Sequence, residues 1–225
     1  MGSDIRTFSA SEDLVRERRN HIRKCATVLF VKKPYGECNM QEILQACGMS
    51  KGGLYYYVAS KEDIRTLIIT HASEAHVEVH RTIRSAISGL SGADSIREAI
   101  RFFCKWMDEY QDEMIVLNHE IGNLSKEDRK PLLHSEEQNV ALFEEILQAG
   151  IEAGEFETYD TKVLAHTVYL AVRAWADRRW YLRKFFSLDA YVESLVQTLM
   201  SLATRNKDGR SPAKDAAVLA DRDKC

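Results

Sequence analysis

Apolar residues recur along most of this chain with the spacing of amphipathic helices, about 3.6 residues per turn. Runs of β-branched residues that would indicate strands are few, and the sequence contains only three prolines. The pattern therefore predicts an all-α protein. Between residues 111 and 134 it is interrupted at 122–126 and again at Lys130-Pro131, where we expect breaks. The long helices predicted after residue 61 cover 62–85, 93–110, 135–149, 161–184 and 189–204.

A different pattern lies between Asn39 and Lys61, where two short helices follow each other closely. Asn39, with Glu42 three residues later, predicts a capping box at the start of the first helix. Gly48 stands where that helix must end, and Ser50 is a good N-cap for a second helix of about two turns. Two helices joined by about three to four residues are typical of the helix-turn-helix that enters the major groove of DNA.

The segment NMQEILQACGMSKGGLYYYVASKE resembles the signature of the TetR family of bacterial transcriptional regulators. The preceding RRNHIRKCATVLFVKKPYGEC resembles that family's first helix and the turn after it, so the resemblance is dense over residues 16–65. The chain departs from the family pattern at Pro34, at Gly53 and at Tyr57-Val58. Gly53 removes a side chain that could contact a base, which affects sequence preference more than DNA binding itself.

The resemblance implies a three-helix DNA-binding domain, over residues 9–61, and a larger helical domain, over 62–204. In the family the larger domain binds a small effector and dimerises through its last two helices, which here places the dimer interface on 161–204. Two copies related by a twofold axis would hold their recognition helices about 34–36 Å apart, matching successive major grooves of a palindromic operator. We expect residues 1–8 and 205–225 to be tails.

The candidate DNA-binding residues lie in and beside the second short helix. Lys51 and Lys61 can neutralise phosphates, and Gly52 lets the backbone approach DNA closely. The tyrosines can offer hydroxyls to phosphates and ring faces to thymine methyl groups. The alternative, that they are core residues, is less favoured because adjacent helical residues point in different directions. The predicted set is Asn39, Lys51, Gly52, Gly53, Tyr55, Tyr56, Tyr57 and Lys61.

The effector site is harder to predict. The segment WADRRWYLRKFFSLDAYVESL resembles a subgroup of the family that responds to acyl-CoA thioesters or related hydrophobic carboxylates. Its arginines can meet phosphates or a carboxylate, but a solvated basic helix end is the alternative. His166, Tyr169 and Arg173 share one helical face and are the first candidates for polar contacts. The predicted effector-binding set is Phe102, Trp106, Asn139, Phe143, His166, Tyr169, Arg173 and Arg178.

Charge is distributed unevenly along the chain. Residues 1–61 contain 10 Lys and Arg against 6 Asp and Glu, a balance of +4, whereas residues 62–225 contain 21 against 28, a balance of −7. A basic N-terminal module beside an acidic body suits contact with DNA at one end only. The five cysteines are scattered without paired spacing, and we see no signal peptide, so we expect reduced thiols in the cytoplasm. No apolar run approaches the ~18–20 residues of a membrane span.

Two further constellations suggest other chemistry. His76 and His80 have an i, i+4 spacing that can chelate zinc, but no third ligand stands at a convincing position, so we expect a solvated helix face. No nucleophile motif, phosphate-binding loop or cofactor fingerprint accompanies His119-Glu120. We therefore expect no enzyme, no metal and no cofactor.

The sequence predicts a homodimeric, one-component transcriptional regulator, in which one chain carries both the DNA-binding and the effector-binding site. We expect a repressor that binds a palindromic double-stranded DNA operator and is released by a small hydrophobic effector, with an acyl-CoA or related carboxylate favoured. One alternative is a multidrug sensor of lipophilic cations that represses an efflux gene. The other is a helical ligand-binding or scaffold protein without specific DNA binding.

Overall fold

The computed structural model describes residues 4–157 and 160–203, and within these ranges it contains helices and no strands. The all-α prediction is confirmed. No helix in the described ranges is both long enough and apolar enough to cross a membrane. Ten α-helices and two 3-10 turns, Tyr35–Glu37 and Ile121–Asn123, make up the described fold. The α-helices are α1 Asp4–Lys32, α2 Met40–Cys47, α3 Lys51–Tyr57, α4 Lys61–Ala86, α5 Gly92–Glu109, α6 Gln111–Glu120, α7 Lys126–Glu152, α8 Thr161–Asp177, α9 Arg179–Leu182 and α10 Leu188–Ala203.

The hydrophobic pattern predicts α4, α5 and α10 to within one residue at each end but misplaces two breaks. Pro131, expected to interrupt the chain, lies inside α7. It stands in the second turn, where its missing N–H removes a single hydrogen bond from a helix of 27 residues. The helix predicted over 161–184 instead ends at Asp177, because Arg178 leaves helical geometry with φ −120° and ψ 20°.

The predicted tails are only partly described. Residues 4–8, which we expected to belong to an N-terminal tail, lie in helix α1. Residues 1–3 and the predicted C-terminal tail, 205–225, lie outside the described residues.

The buried side chains form two hydrophobic cores, and α4 contributes to both. Ile64 and Ile68, near its start, belong to the N-terminal core, whereas Val79 and Ile83 belong to the C-terminal core. The N-terminal core is built from α1, α2, α3 and the first half of α4, and α6 adds Val116 and Leu117 to it. The C-terminal core is built from α5, α7, α8, α10 and the second half of α4. The DNA-binding domain predicted over 9–61 therefore shares its core with two helices of the larger domain, α4 and α6.

Helices α5 and α7 approach closely where Gly92 meets Gly150. A Cβ atom on Gly92 would lie 2.8 Å from the Cα of Gly150, and one on Gly150 would lie 2.2 Å from two ring carbons of Phe156. Phe156 reaches this position because Gly154, with φ +73°, reverses the chain just after α7. Its buried ring then covers this end of the C-terminal core.

We expect Gly150→Ala to lower the free energy of unfolding by about 1–3 kcal/mol, because the added methyl group displaces the Phe156 ring. This outweighs the gain in helix propensity, which is up to about 1 kcal/mol. The matched control is Gly52→Ala, whose Cβ would meet nothing within 4 Å and which should stabilise the protein slightly. Urea denaturation of the three proteins measures both effects. A Gly150→Ala variant as stable as the parent would show that the contact is not tight.

Candidate functional site

Helices α2 and α3 have the caps that the sequence predicts. The Asn39 side chain accepts hydrogen bonds from two backbone N–H groups, including that of Glu42 at 3.0 Å, while the Glu42 carboxylate accepts the N–H of Asn39 at 2.9 Å. Gly48 ends α2 in the left-handed region, with φ +62°. The Ser50 hydroxyl accepts the N–H of Gly53 at 3.1 Å and starts α3. The helix-turn-helix unit is therefore specified by local hydrogen bonds at both helix starts.

This unit is held against α1 by contacts at its ends and its inner face. Arg19 Nε donates to the carbonyl of Tyr57 at 3.2 Å, at the end of α3. The His21 ring lies 3.0 Å from the carbonyl oxygen of Cys47, at the end of α2. Leu54 is fully buried and Val58 nearly so, which places the inner face of α3 in the N-terminal core. These contacts determine which side of α3 faces solvent.

The outer face of α3 carries most of the predicted DNA-binding residues. Lys51 and Gly52 are exposed at the start of the helix, and Tyr56 and Tyr55 are 75% and 43% exposed. Tyr57 is half-buried, with its ring edge-on to that of Tyr56 at 5.0 Å between centroids. Gly53 is also half-buried. The structure thus places the Lys51 side chain, the backbone at Gly52 and the rings of Tyr55 and Tyr56 on one exposed surface.

Lys61 and Asn39 have partners within the protein. Lys61 Nζ donates to the carbonyls of Tyr35 at 2.8 Å and Cys38 at 2.9 Å, and lies 4.3 Å from the centroid of the Tyr35 ring. It therefore ties the turn between α1 and α2 to the start of α4. Asn39 belongs to the predicted DNA-binding set, and its backbone N–H donates to the Glu42 carboxylate. A DNA contact by either residue stays a prediction and would have to compete with these bonds.

An internal cavity of about 70 Å³ lies where helices α4 to α8 meet. Four of the predicted effector-binding residues line it: Trp106, Asn139, Tyr169 and Arg173. The other four do not line it. Phe143 is fully buried against Phe103 in the C-terminal core, Phe102 is half-buried beneath the Arg101 guanidinium, and His166 and Arg178 are exposed.

A buried hydrogen-bond network forms one side of the cavity. The rings of His76 and His80 approach Asn139 Oδ1 through Nε2 at 2.9 and 2.8 Å. Because an amide oxygen only accepts, both rings donate. Asn139 Nδ2 donates in turn to the Tyr169 hydroxyl at 3.2 Å. The expectation of a solvated histidine face is therefore wrong, since His76 is 3% exposed and His80 half-buried.

The reason for that error is that the partner of both histidines lies about sixty residues further along the chain, on α7, where no local pattern marks it. Within the described residues, no group of three or more His, Cys, Asp or Glu side chains is arranged to hold a metal ion.

Arg173 is enclosed by acidic and amide groups at the rim of the cavity. It donates to Glu136 at 2.9 Å and to the Asn118 oxygen at 3.1 Å, and it lies 3.7 Å from the Asp177 carboxylate. Sequence analysis did not single out these partners. Asp177 has a detectable signal, the i, i+4 spacing from Arg173, whereas Asn118 and Glu136 come from other helices and have none.

A buried ion pair joins α1 to α6. Arg23 donates to the Glu113 carboxylate, and their side chains are only 4% and 13% exposed. Arg23 also donates to Asn20, and His71 of α4 lies 3.9 Å from Glu113. Helix α6 also lines the cavity, through Leu117 and Asn118 among others. One helix therefore contacts both the cavity and the helix against which α2 and α3 pack.

Comparison with known families assigns both parts of the chain. Residues 22–66 match the family model described as bacterial regulatory proteins of the tetR family. Residues 89–184 match the model described as a tetracyclin repressor-like C-terminal domain. The chain belongs to the TetR family of bacterial transcriptional regulators. The resemblance found in the sequence is thereby confirmed, and α3 is the second helix of the helix-turn-helix within the matched N-terminal segment of this TetR-family regulator.

Relatives of this TetR-family regulator are distant in sequence but align over most of its length. It is 22% identical over 220 residues to the HTH-type transcriptional regulator HbdR of Aromatoleum sp. (strain CIB), covering 96% of this chain and 95% of that protein. It is 24% identical over 165 residues to the HTH-type transcriptional repressor KstR2 of Rhodococcus jostii (strain RHA1), covering 73% and 79%.

Solved structures share the fold of this TetR-family regulator. A regulatory protein of the tetR family from Rhodococcus RHA1 has a TM-score of 0.73 and 21% identity, covering 84% of this chain and 98% of that one. AibR, solved with isovaleryl coenzyme A and operator DNA, has a TM-score of 0.67 and 22% identity, covering 81% and 98%.

We expect substitutions of Lys51 and Lys61 to affect different properties, DNA binding for Lys51 and the free energy of unfolding for Lys61. Lys51→Ala should weaken binding to random-sequence duplex DNA and reduce the slope of log affinity against log salt by about one per contacting phosphate, with unfolding free energy unchanged. Lys61→Met should lower the free energy of unfolding by about 1–3 kcal/mol, because the carbonyls of the buried residues Tyr35 and Cys38 lose the hydrogen bonds from the Lys61 ammonium group. Fluorescence anisotropy across salt concentrations and urea denaturation measure these effects. Equal salt slopes for Lys51→Ala and the parent would contradict a phosphate contact.

We expect stability to fall below pH 6.5. Burial lowers the pKa of His76 from 6.5 to about 4, so the unfolded chain takes up a proton at a higher pH than the folded protein does. The stability that neutral His76 contributes is therefore complete above about pH 6.5 and decreases by up to about 1.4 kcal/mol per pH unit down to about pH 4. Urea denaturation at pH 7, 6 and 5 should show a shallower decline for His76→Gln. The exposed His166→Gln is the matched control, and identical declines for all three proteins would refute the assignment.

Proposed function

We propose that this TetR-family regulator is a dimeric repressor that binds a palindromic operator and is released by a small hydrophobic effector. The observation that carries the proposal is the exposed outer face of α3, with Lys51, Gly52, Tyr55 and Tyr56, on a helix whose inner face is fixed in a core. A rigid helix with polar and aromatic groups on its free side is suited to the major groove.

Dimerisation supports operator binding because one such module makes too few contacts for tight, specific recognition. Helix α8 exposes Val163 and Leu170, which are 64% and 48% exposed and lie on one face two turns apart. His166 lies between them on the same face. An apolar face of this kind suits pairing with a second copy through α8 and α10, where the family resemblance also leads us to expect the interface.

The favoured effector is an acyl-CoA or a related molecule. AibR was crystallised with isovaleryl coenzyme A and operator DNA. In this chain a depression of about 430 Å³ shares Asp177 with the cavity and is lined by Arg179, Arg183, Lys184 and the exposed Trp180 ring. Cations beside an exposed aromatic ring suit the phosphates and adenine of coenzyme A. In this proposal the acyl group enters the cavity and the nucleotide lies outside it.

Release follows from the helices that line the cavity. An acyl group that needs more room than about 70 Å³ would press on the helices that line the cavity, α4 and α6 among them. Helix α4 begins immediately after the recognition helix, and α6 holds α1 through Glu113 and Arg23. Displacement of either helix changes the separation of the two recognition helices, so both half-sites cannot be met together. A coupling free energy of about 1–3 kcal/mol is sufficient for such a switch.

Selection from a pool of random duplexes tests DNA recognition, and light scattering measures the oligomeric state. We expect enrichment of a palindrome by a dimer, and release of the enriched duplex by isovaleryl coenzyme A but not by free coenzyme A. A monomer, or a pool without an enriched palindrome, would refute the proposal.

The route of coupling is tested by Glu113→Gln, which should reduce the ratio of operator affinities without and with isovaleryl coenzyme A several-fold. Glu78→Gln, on the exposed face of α4, is its matched control.

A further inference from the structure

Two polar side chains that line the cavity have no hydrogen-bond partner. The hydroxyl oxygen of Ser73, on α4, and the indole nitrogen Nε1 of Trp106, on α5, are buried without a partner among the described residues. Leaving a buried donor unpaired is costly, so each such group in a native structure requires an explanation. Both lie in the wall of the same cavity, and a ligand bound there can supply the missing hydrogen-bond partner.

The two cavity groups without a partner can both donate a hydrogen bond to a ligand. The indole N–H can only donate, and the Ser73 hydroxyl can donate. The Tyr169 hydroxyl accepts a hydrogen bond from Asn139, so its own hydrogen remains available. The Asn139 oxygen already accepts from two histidines. This wall therefore matches a ligand group that accepts hydrogen bonds.

The charges around the cavity do not suit an anion. Arg173 is the only arginine or lysine among the lining residues, and Glu136, Asn118 and Asp177 already engage it. One arginine against two carboxylates leaves the lining at −1. Burial lowers the pKa of His76 to about 4, so that ring adds no charge at neutral pH. A ligand carboxylate would be desolvated here without a free cation.

We propose that the cavity binds the uncharged carbonyl group of a small apolar ligand through the Trp106 indole N–H and the Ser73 hydroxyl, and discriminates against a free carboxylate. The proposal rests on the proposed function in one respect, since it assumes that this cavity is the effector site. Ketones, esters and thioesters all carry an uncharged carbonyl group of this kind.

The size of the cavity sets the length of the group it takes. An apolar cavity of about 150 Å³ holds benzene, so 70 Å³ accommodates about half as many atoms without rearrangement. A ligand with a longer chain would press on the surrounding side chains and helices. The ligand carbonyl would then accept hydrogen bonds from Trp106 and Ser73, while the chain beyond it would push against the helices around the cavity.

A matched series of probes tests the proposal with purified protein and no DNA. We choose 2-hexanone, the alkene 2-methyl-1-hexene of the same shape, the carboxylate pentanoate, the thioester S-methyl thiopentanoate and the cation butyltrimethylammonium. Titration calorimetry gives affinities, and the indole N–H signals in a nitrogen–proton NMR spectrum report hydrogen bonding, with that of Trp106 identified by its loss in Trp106→Phe. We expect 2-hexanone and the thioester to bind and move this signal downfield. We expect pentanoate to bind at least about tenfold more weakly than 2-hexanone.

Side-chain substitutions separate hydrogen bonding from packing. Ser73→Ala should lower the affinity for 2-hexanone about two- to tenfold and leave that for the alkene unchanged. Trp106→Phe also removes one ring and enlarges the cavity, so its expected effect is a lower ratio of the 2-hexanone affinity to the alkene affinity. Ser85→Ala, exposed on the same helix, is the matched control. Tighter binding of pentanoate or the cation, an unmoved Trp106 signal in saturated protein, or no binding by any probe would overturn the proposal. A protein that binds 2-hexanone but selects no operator would contradict only the proposed function.

Discussion

Burial of helix α4 in two hydrophobic cores is the constraint on which the rest of the structure depends. Its first half packs with the DNA-binding helices through residues such as Ile64 and Ile68, and its second half packs in the larger domain through Val79 and Ile83. Protein interiors are packed as densely as organic crystals, so such a helix cannot shift at one end without disturbing the other. A ligand beside Ser73 and His76, near the middle of α4, acts where both cores can respond.

The buried polar groups of the network around Asn139, of Arg173 and of the Arg23–Glu113 pair have hydrogen-bond or ion-pair partners, which makes the buried groups without a partner informative. Asn139 satisfies two histidines and a tyrosine, and Arg173 is surrounded by three partners from α6, α7 and its own helix. The pair of Arg23 and Glu113 brings together two opposite charges whose side chains are only 4% and 13% exposed. Because a buried charge without a partner is strongly destabilising, these arrangements restrict how the helices can be positioned. Ser73 and Trp106, in the cavity wall, are two of the six buried polar groups that have no hydrogen-bond partner among the described residues.

Local features of the sequence were sufficient to predict the recognition unit, and distant contacts explain what could not be predicted. The caps at Asn39 and Ser50 depend on residues three positions away, so the pattern alone reveals them. The same reasoning assigned Lys61 to DNA, because a sequence displays the charge but not the two carbonyls that engage it. Half of the predicted effector-binding residues line the cavity. The helical period shows that Phe143 and His166 lie on helices but not which neighbour covers each face.

The completion of the N-terminal core by α6 has a consequence for biosynthesis. Arg23 finds its partner ninety residues later in the chain, and Val116, Leu117 and Leu124 occupy the same core as the first three helices. A nascent chain emerging from the ribosome therefore holds the helix-turn-helix segment well before it holds the residues that cover it. Until about residue 124 has been released, the apolar surface of that segment stays open to water, where chaperones can bind it.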